Sequence, residues 1–222
     1  MAVLHLDLAS AKAAAHRHRA TVNDLVLALA AGGVRALLTA RGEPLEGLRL
    51  HSSVAVSLRT AGATAEAGNR TGGFLVELPV AEPDPAQRLR RVAAATTHAK
   101  QEQPVTGGND VLTALARLRV MRWFIRHQRL VSVVESDMVG PATPIRLLGA
   151  PVSDVFAVGN LAGNVPLSFL ALSYAGRLTI TVHADADALP DLAVLLAGIR
   201  ADWAALGSAA AMPGPGRGGR SR

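Results

Sequence analysis

Seven histidines and one Asn-Asp pair are the residues of this 222-residue chain that first suggest chemistry. The histidines are His5, His16, His18, His51, His98, His127 and His183. Only His16 and His18 are close in sequence, and two residues apart on a helix they would not share a face, so they do not predict a metal site. The chain has no G-x-S-x-G elbow, P-loop, dinucleotide-binding fingerprint or H-E-x-x-H motif.

Three closely spaced aspartates near the C-terminus could suggest a calcium-binding loop. Asp185, Asp187 and Asp191 lack the loop glycine and the closing glutamate of such a site. They precede or open a helix, where carboxylates cap free N–H groups and face the positive end of the helix dipole. We therefore predict capping and no bound metal.

His183 alternates with Thr179 and Thr181 along a predicted strand. The favoured interpretation is a polar face turned to solvent, since antiparallel sheets commonly have one wet face. The alternative is that this face lines a cleft.

The Asn-Asp pair opens a long apolar helix, in the stretch ATVNDLVLALAAGG. Thr21 is the predicted N-cap, and Asp24, three residues later, completes a variant of the capping box. The helix is expected to run to about Gly42. Helix-start physics predicts an architectural role for Asn23 and Asp24, and a second role in a site stays open.

A basic amphipathic helix is predicted from Asn109 to Gln128. Arg119, Arg122 and Arg126 share one face, and Trp123 lies among them. Such a helix is more often simply solvated, but it can also lie on an anionic membrane. These four residues are therefore the candidates for contact with a membrane surface.

Composition narrows the class of protein. Half of the residues are hydrophobic, aromatics are 3%, and there is no cysteine, which excludes disulfides and thiolate metal sites. The formal net charge is +6, and three of the positive charges lie in a Gly/Pro-rich tail. The basic residues are not interleaved with aromatic residues, so the sequence does not predict nucleic-acid binding. We expect one domain over 1–207, a disordered tail over 208–222, and no membrane span or signal peptide. The predicted location is the cytoplasm, with peripheral attachment to the inner membrane face as an open alternative.

The periodicity predicts an α/β fold, with a mixed β-sheet and helices packed on it. Helices are expected over 10–19, 21–42, 83–101, 109–128 and 190–206. Strands are expected over 48–58, 74–80, 130–136, 144–152, 154–159, 167–174 and 178–184, with a loop over 60–73. Arginines are mixed among the apolar residues of the third helical segment, over 83–101, so shallow burial is predicted for it.

Several short sequence motifs occur in an order that is typical of a known family. They are TVNDLVLA, VAVSLR, GNR, LPVAEPDPAQRLRRV, ESDMVGP and LSYAGRLTITVHADADALPDL. Together they resemble the C-terminal half of the bacterial wax ester synthase/diacylglycerol acyltransferase family, from about residue 12 to 206. The resemblance implies one half of a two-domain acyltransferase of the chloramphenicol acetyltransferase type.

The resemblance also implies an activity. The family transfers a long-chain acyl group from acyl-CoA, a substrate and not a bound cofactor, to an acylglycerol or a fatty alcohol. The second histidine of an HHxxxDG motif in its N-terminal half is the general base. This sequence contains no HHxxxDG, so the resemblance implies no catalytic residue here and, as partner, an N-terminal half or a second copy. A non-catalytic remnant, or a protein that binds a partner or a lipid surface, is the alternative.

Five residues carry the expected substrate channel or domain interface. Asn23 and Asp24 match the family's ND motif, and ESDMVGP resembles its S-N-V-P-G-P stretch. Ser136 and Gly140 are shared, whereas Asp137 replaces an asparagine and cannot donate the hydrogen bonds of an amide. That change is expected to impair independent activity. An ordinary turn remains the alternative explanation for Gly140.

Overall fold

The computed structural model describes residues 1–57, 71–102, 127–161 and 163–208. Six strands form one sheet, and they are β1 Ala2–Asp7, β2 Leu50–Ser57, β3 Thr71–Leu78, β4 Val133–Val139, β7 Leu167–Tyr174 and β8 Arg177–Ala184. Their order across the sheet is β1-β8-β7-β4-β2-β3. Strand β4 runs parallel to β2 and β7, and the other pairs are antiparallel. The short strands β5 Arg146–Leu147 and β6 Ala150–Pro151 form a separate hairpin.

Four helices are described, and the core lies between them and one face of the sheet. They are α1 Leu8–Arg17, α2 Val22–Ala40, α3 Pro85–Glu102 and α4 Leu192–Ser208. Period-two apolar residues of the sheet, such as Phe169, Leu178 and Ile180, are buried beneath them. The predicted mixed sheet with packed helices is confirmed.

Helix α2 is the centre of this helical layer. It is long and apolar enough to cross a bilayer by length and composition alone, although the sequence predicts no membrane span. Its residues from Asp24 to Val34 are all buried within the protein, which is the environment of a core helix. It is apolar all round because other helices and the sheet cover it.

Helices α2 and α4 approach closely at glycines. A Cβ on Gly33 would lie 2.8 Å from Ile199 Cγ1, and one on Gly198 would lie 2.5 Å from the Cβ of Ala36. Gly33 and Gly198 therefore allow the two helices to pack closely.

Alanine at position 198 is expected to destabilise the protein, although alanine usually stabilises a helix interior by about 0.5–1 kcal/mol over glycine. The clash with Ala36 is expected to outweigh that gain and cost about 1–3 kcal/mol net. Gly207 on the same helix has open space around its Cβ position, so Gly207→Ala is the matched control and should leave stability equal or higher. Thermal unfolding distinguishes the two; a Gly198→Ala protein as stable as the wild type would contradict the close approach.

Helix α3 is more deeply buried than its arginines predicted. Leu89 and Val92 are fully buried, and Arg88 is 1% exposed. The shallow-burial prediction is wrong because the Arg88 guanidinium finds partners inside the protein. Its Nε and Nη2 donate to the Glu82 carbonyl at 3.0 and 2.7 Å, and its Nη1 donates to Asp202 of α4.

Other differences are local. Strand β1 was not predicted, although its buried Leu4 and Leu6 alternate with the exposed His5 and Asp7, as is typical of a strand. Strand β3 begins at Thr71, inside the predicted loop. The segment predicted as strand over 154–159 has no regular structure, and helix α4 begins two residues after Pro190.

The sheet face opposite the helices is covered, so the solvated face predicted for His183 is wrong. Thr179, Thr181 and His183 are all buried. The chain after β4 crosses this face. Tyr174 donates its hydroxyl to the Val152 carbonyl at 2.8 Å, and Gly159 packs on Leu170 so closely that a Cβ would lie 2.8 Å from its Cδ1.

Candidate functional site at the start of helix α2

Asp24 ties the first turn of α2 to helix α3. Its Oδ2 accepts hydrogen bonds from the Thr21 backbone N–H and hydroxyl, both at 2.8 Å, and the Thr21 Oγ accepts from the Asp24 N–H at 3.2 Å. Its Oδ1 accepts from the Thr96 hydroxyl of α3 at 2.6 Å. The capping box is therefore present as predicted. Both carboxylate oxygens are occupied and the residue is 3% exposed.

Asn23 reaches in the other direction, to the sheet. With its amide nitrogen facing β4, it donates to both carboxylate oxygens of Glu135 at 3.1 Å each. The amide orientation is assigned from this hydrogen-bond network. Glu135 is fully buried, on the helix-facing side of the central strand. The Asn-Asp pair thus joins α2 to α3 and to β4.

Three carboxyl groups surround this point: Asp24, Glu135 and Asp137. Burial, and then the charges of Asp137 and Asp24, raise the pKa of Glu135 well above its ordinary value of 4.5. Burial also raises the pKa of Asp137, which a hydrogen bond from its neighbour Met138 partly offsets. The low dielectric favours the neutral form of a buried carboxyl, so Glu135 and Asp137 hold their protons more strongly than exposed carboxyls do.

The raised pKa makes Glu135 a source of pH-dependent stability. Its contribution is present below pH 4.5 and is lost as the pH rises through the folded-state pKa. Glu135→Gln stays neutral and keeps an oxygen that accepts from Asn23. We expect the variant to match the wild type near pH 4.5 and to melt about 2–4 °C higher at pH 8.5.

Glu77→Gln is the control for this prediction, because Glu77 is an exposed residue on the edge strand β3 of the same sheet. Thermal unfolding of the three proteins between pH 4.5 and 9 measures the effect. A constant difference between Glu135→Gln and the wild type across that range would contradict it.

Ser136 lies on β4 and Gly140 directly after it, and both are away from Asn23. Gly140 follows β4 where its backbone meets β7, and it donates its N–H to the Ser173 carbonyl at 2.9 Å. A Cβ at this position would lie 2.6 Å from that oxygen, so the position requires glycine. Ser136 alternates with Glu135 and points to the opposite face of the sheet. The structure therefore brings together Asn23, Asp24 and Asp137, and it leaves Ser136 on the other side.

The remaining candidates are placed as follows. Asp185 accepts from the N–H groups of Asp187 and Ala188, at 2.9 and 3.3 Å, and Asp191 forms an ion pair with Arg41. These are turn and surface contacts, and no group of three metal-binding side chains occurs in the described ranges. The predicted membrane candidates, Arg119, Arg122, Trp123 and Arg126, lie outside the described residues, as does the tail from 209.

Sequence reasoning missed Glu135 and Thr96, although both contact the Asn-Asp pair. Glu135 carried a signal, because it is an acid inside the apolar run LVSVVES, and a buried charge needs a polar partner. Thr96 carried none, since nothing local distinguishes it from Thr97 beside it.

Comparison with known proteins places this geometry in a family. The model of the WS/DGAT C-terminal domain matches residues 67–206. A probable diacylglycerol O-acyltransferase of Mycobacterium tuberculosis is 32% identical over 201 residues, covering 87% of this chain and 43% of that protein. A second putative one from the same organism is 30% identical over 219 residues, covering 93% of this chain and 45% of that protein. The chain spans less than half the length of these curated relatives.

Solved structures give the same fold. The wax ester synthase/diacylglycerol acyltransferase from Marinobacter aquaeolei VT8 aligns over 95% of this chain and 49% of its own, with a TM-score of 0.74 and 21% identity. The PapA2 acyl transferase aligns over 93% of this chain and 44% of its own, with a TM-score of 0.57 and 16% identity. The predicted fold of half a two-domain acyltransferase is thereby confirmed. The chain belongs to the wax ester synthase/diacylglycerol acyltransferase family and contains its C-terminal domain.

Proposed function

We propose that this domain forms one wall of the active-site channel of an acyl-CoA-dependent O-acyltransferase. The acceptor would be an acylglycerol or a fatty alcohol. In the reaction, the acceptor oxygen bonds to the thioester carbon, the carbon–sulfur bond breaks, and the hydroxyl proton passes to a general base while CoA leaves as the thiol. The observation that carries the proposal is the family match over residues 67–206 together with the ND pair at the start of α2.

The part played by this chain is positional. Asn23, Asp24 and Glu135 fix the first turn of α2 against the central strand and α3. Asp24 spends both oxygens on these contacts, and Glu135 favours its neutral form. Both carboxyls thus hold elements of the fold together, and the HHxxxDG motif that carries the family's general base is absent from the printed sequence. We therefore assign the base to a residue outside that sequence, in a longer stretch of the same polypeptide or in another chain.

An exposed apolar hairpin offers a surface on which a partner could dock. Leu147 is 68% exposed and Leu148 100%, and Leu148 has φ +50°, a left-handed conformation that is unfavourable for leucine. Phe156 and Val158 nearby are 47% and 68% exposed. We assign this hairpin patch (Leu147, Leu148, Phe156 and Val158) to the missing half of the family fold, because the chain covers only 49% of the Marinobacter enzyme.

Replacing Leu148 by aspartate is expected to weaken docking of the partner without affecting the folding of this domain. Leu148→Asp removes an apolar contact at no cost in burial and suits the left-handed backbone better. We expect unchanged thermal stability and at least tenfold weaker binding of a family N-terminal half in titration calorimetry. Ala13→Asp, on the exposed side of α1, is the control. Equal binding by Leu148→Asp and the wild type would contradict the docking role of the hairpin patch.

The proposal is tested with a family N-terminal half fused to, or mixed with, this chain. Transfer from radiolabelled palmitoyl-CoA to diacylglycerol or hexadecanol is measured. We expect ester formation that depends on this chain and disappears when the second histidine of HHxxxDG is changed to alanine. Binding of the two halves without turnover would overturn the enzymatic proposal and favour the alternative, a non-catalytic protein that binds a partner or a lipid surface.

A further inference from the structure

A basic groove lies beside the candidate site, between the end of α1 and the outer side of α3. Its volume is about 520 Å³. His18, Arg19 and Arg90 line one part of it, and Ala93 and Ala94 give it an apolar floor. Cations over a small apolar surface suit an organic phosphate.

The cations of this groove lack the carboxylate partners that neighbouring arginines have. On α3, Arg88 pairs with Asp202 and Arg91 with Glu82. Arg90 and Arg19 form no ion pair with any described residue. The negative charge of Asp84 acts at His18 and offsets part of this positive charge. Two arginines against this one carboxylate leave the groove with a net positive charge.

His18 adds an unused hydrogen-bonding atom. Its Nδ1 lies 3.4 Å from Arg90 Nη1, and its Nε2 is buried with no partner. Burial, and then Arg90 and Arg17, lower its pKa. Arg19 next to it has φ +55°, at the end of a helix where glycine is usual. An arginine held there in spite of the strain suggests that its charge is needed at this place.

The groove adjoins the ND site through two short connections. Arg19 is two residues before the capping Thr21 of α2. Thr97 lines the groove, and its neighbour Thr96 holds Asp24. A ligand anchored here would therefore lie next to the start of α2.

We propose that the groove of His18, Arg19 and Arg90 binds a phosphate group of the CoA thioester, an inference that rests on the proposed function. Arg90 and Arg19 supply charge-assisted hydrogen bonds to the phosphate oxygens. The alanine floor accepts an apolar part of the same molecule.

The test is binding of CoA to the full chain, measured by titration calorimetry. Arg90→Gln keeps a polar side chain and removes the charge, and Arg200→Gln on the exposed side of α4 is the control. We expect Arg90→Gln to bind CoA about tenfold more weakly, with Arg200→Gln unchanged. Pantetheine, which has no phosphate, should bind the wild type and Arg90→Gln equally. His18 supplies a second readout, because a bound phosphate should raise its pKa in NMR titration.

Equal CoA affinities for Arg90→Gln and the wild type would overturn the inference. The inference would also be overturned if binding of phosphatidylglycerol vesicles, or of inorganic phosphate, depended on Arg90 while binding of CoA did not. The first result would assign the groove to a lipid headgroup, and the second would assign it to free anions. Binding does not require turnover. CoA recognition through Arg90 without transfer in the joined protein would reject the proposed function alone, and transfer with Arg90-independent CoA binding would reject this inference alone.

Discussion

Replacing Arg88 by methionine is expected to cost about 3–5 kcal/mol, the usual effect of breaking a buried ion pair by removing one partner. Arg88 is on α3, its partner Asp202 is on α4, and a Cβ on Gly32 of α2 would overlap both groups. Burial lowers the pKa of Arg88 and raises that of Asp202, and each partner's charge opposes the shift of the other. Without the guanidinium, the Asp202 carboxylate and the Glu82 carbonyl lose their donors.

Arg49→Met is the matched control for Arg88→Met. Arg49 pairs with Glu77 at 3.3 Å, and both side chains are exposed, at 74% and 45%. Exposed ion pairs contribute at most about 1 kcal/mol. Urea unfolding at pH 7 should therefore show a much lower midpoint for Arg88→Met and a nearly unchanged one for Arg49→Met. Similar midpoints for the two variants would mean that the three helices do not depend on this ion pair.

Asp24→Ala is the second substitution with a large expected effect. It removes a capping box, worth about 0.5–2 kcal/mol, and the hydrogen bond from Thr96 to the carboxylate, worth about 1.5–3 kcal/mol, although the Thr96 hydroxyl keeps the Ala93 carbonyl as an acceptor. We expect a total loss of roughly 2–4 kcal/mol.

Asp7→Ala separates capping from the tertiary contact. Asp7 caps α1 by accepting from the Ser10 N–H at 2.7 Å, and that bond is exposed. Its loss should cost about 1 kcal/mol, in the same unfolding experiment. If Asp24→Ala costs no more than Asp7→Ala, the bond to Thr96 contributes nothing, and Asp24 is a helix cap only.

Local patterns were sufficient for most of the fold. Thr21 and Asp24 mark a helix start by their spacing alone, and the Ala175-Gly176 turn between two alternating apolar runs marks the β7–β8 hairpin. Such signals depend on residues adjacent in sequence. The predictions that failed concern contacts made at long range. The burial of α3 depends on Asp202, which is 114 residues from Arg88, and the burial of His183 depends on a segment that crosses the sheet.

The candidate site shows the same division. Asn23 and Asp24 were found through their resemblance to a family motif, and the capping role of Asp24 through helix physics. Glu135 lies more than a hundred positions away, and only the register of β4 brings it under Asn23. The basic groove was not foreseen, because Arg19 and Arg90 are far apart in sequence and reach one groove only when α2 packs against α3.

Under the proposed function, this domain supports acyl transfer, and the proton acceptor that activates the alcohol lies outside the printed sequence. The most direct measurement is palmitoyl transfer to diacylglycerol by the purified chain of the printed sequence, at pH 7, with no other protein added. The account predicts ester formation no faster than the blank. Esterification at an ordinary enzymatic rate, lost on substitution of a residue within this chain, would contradict it.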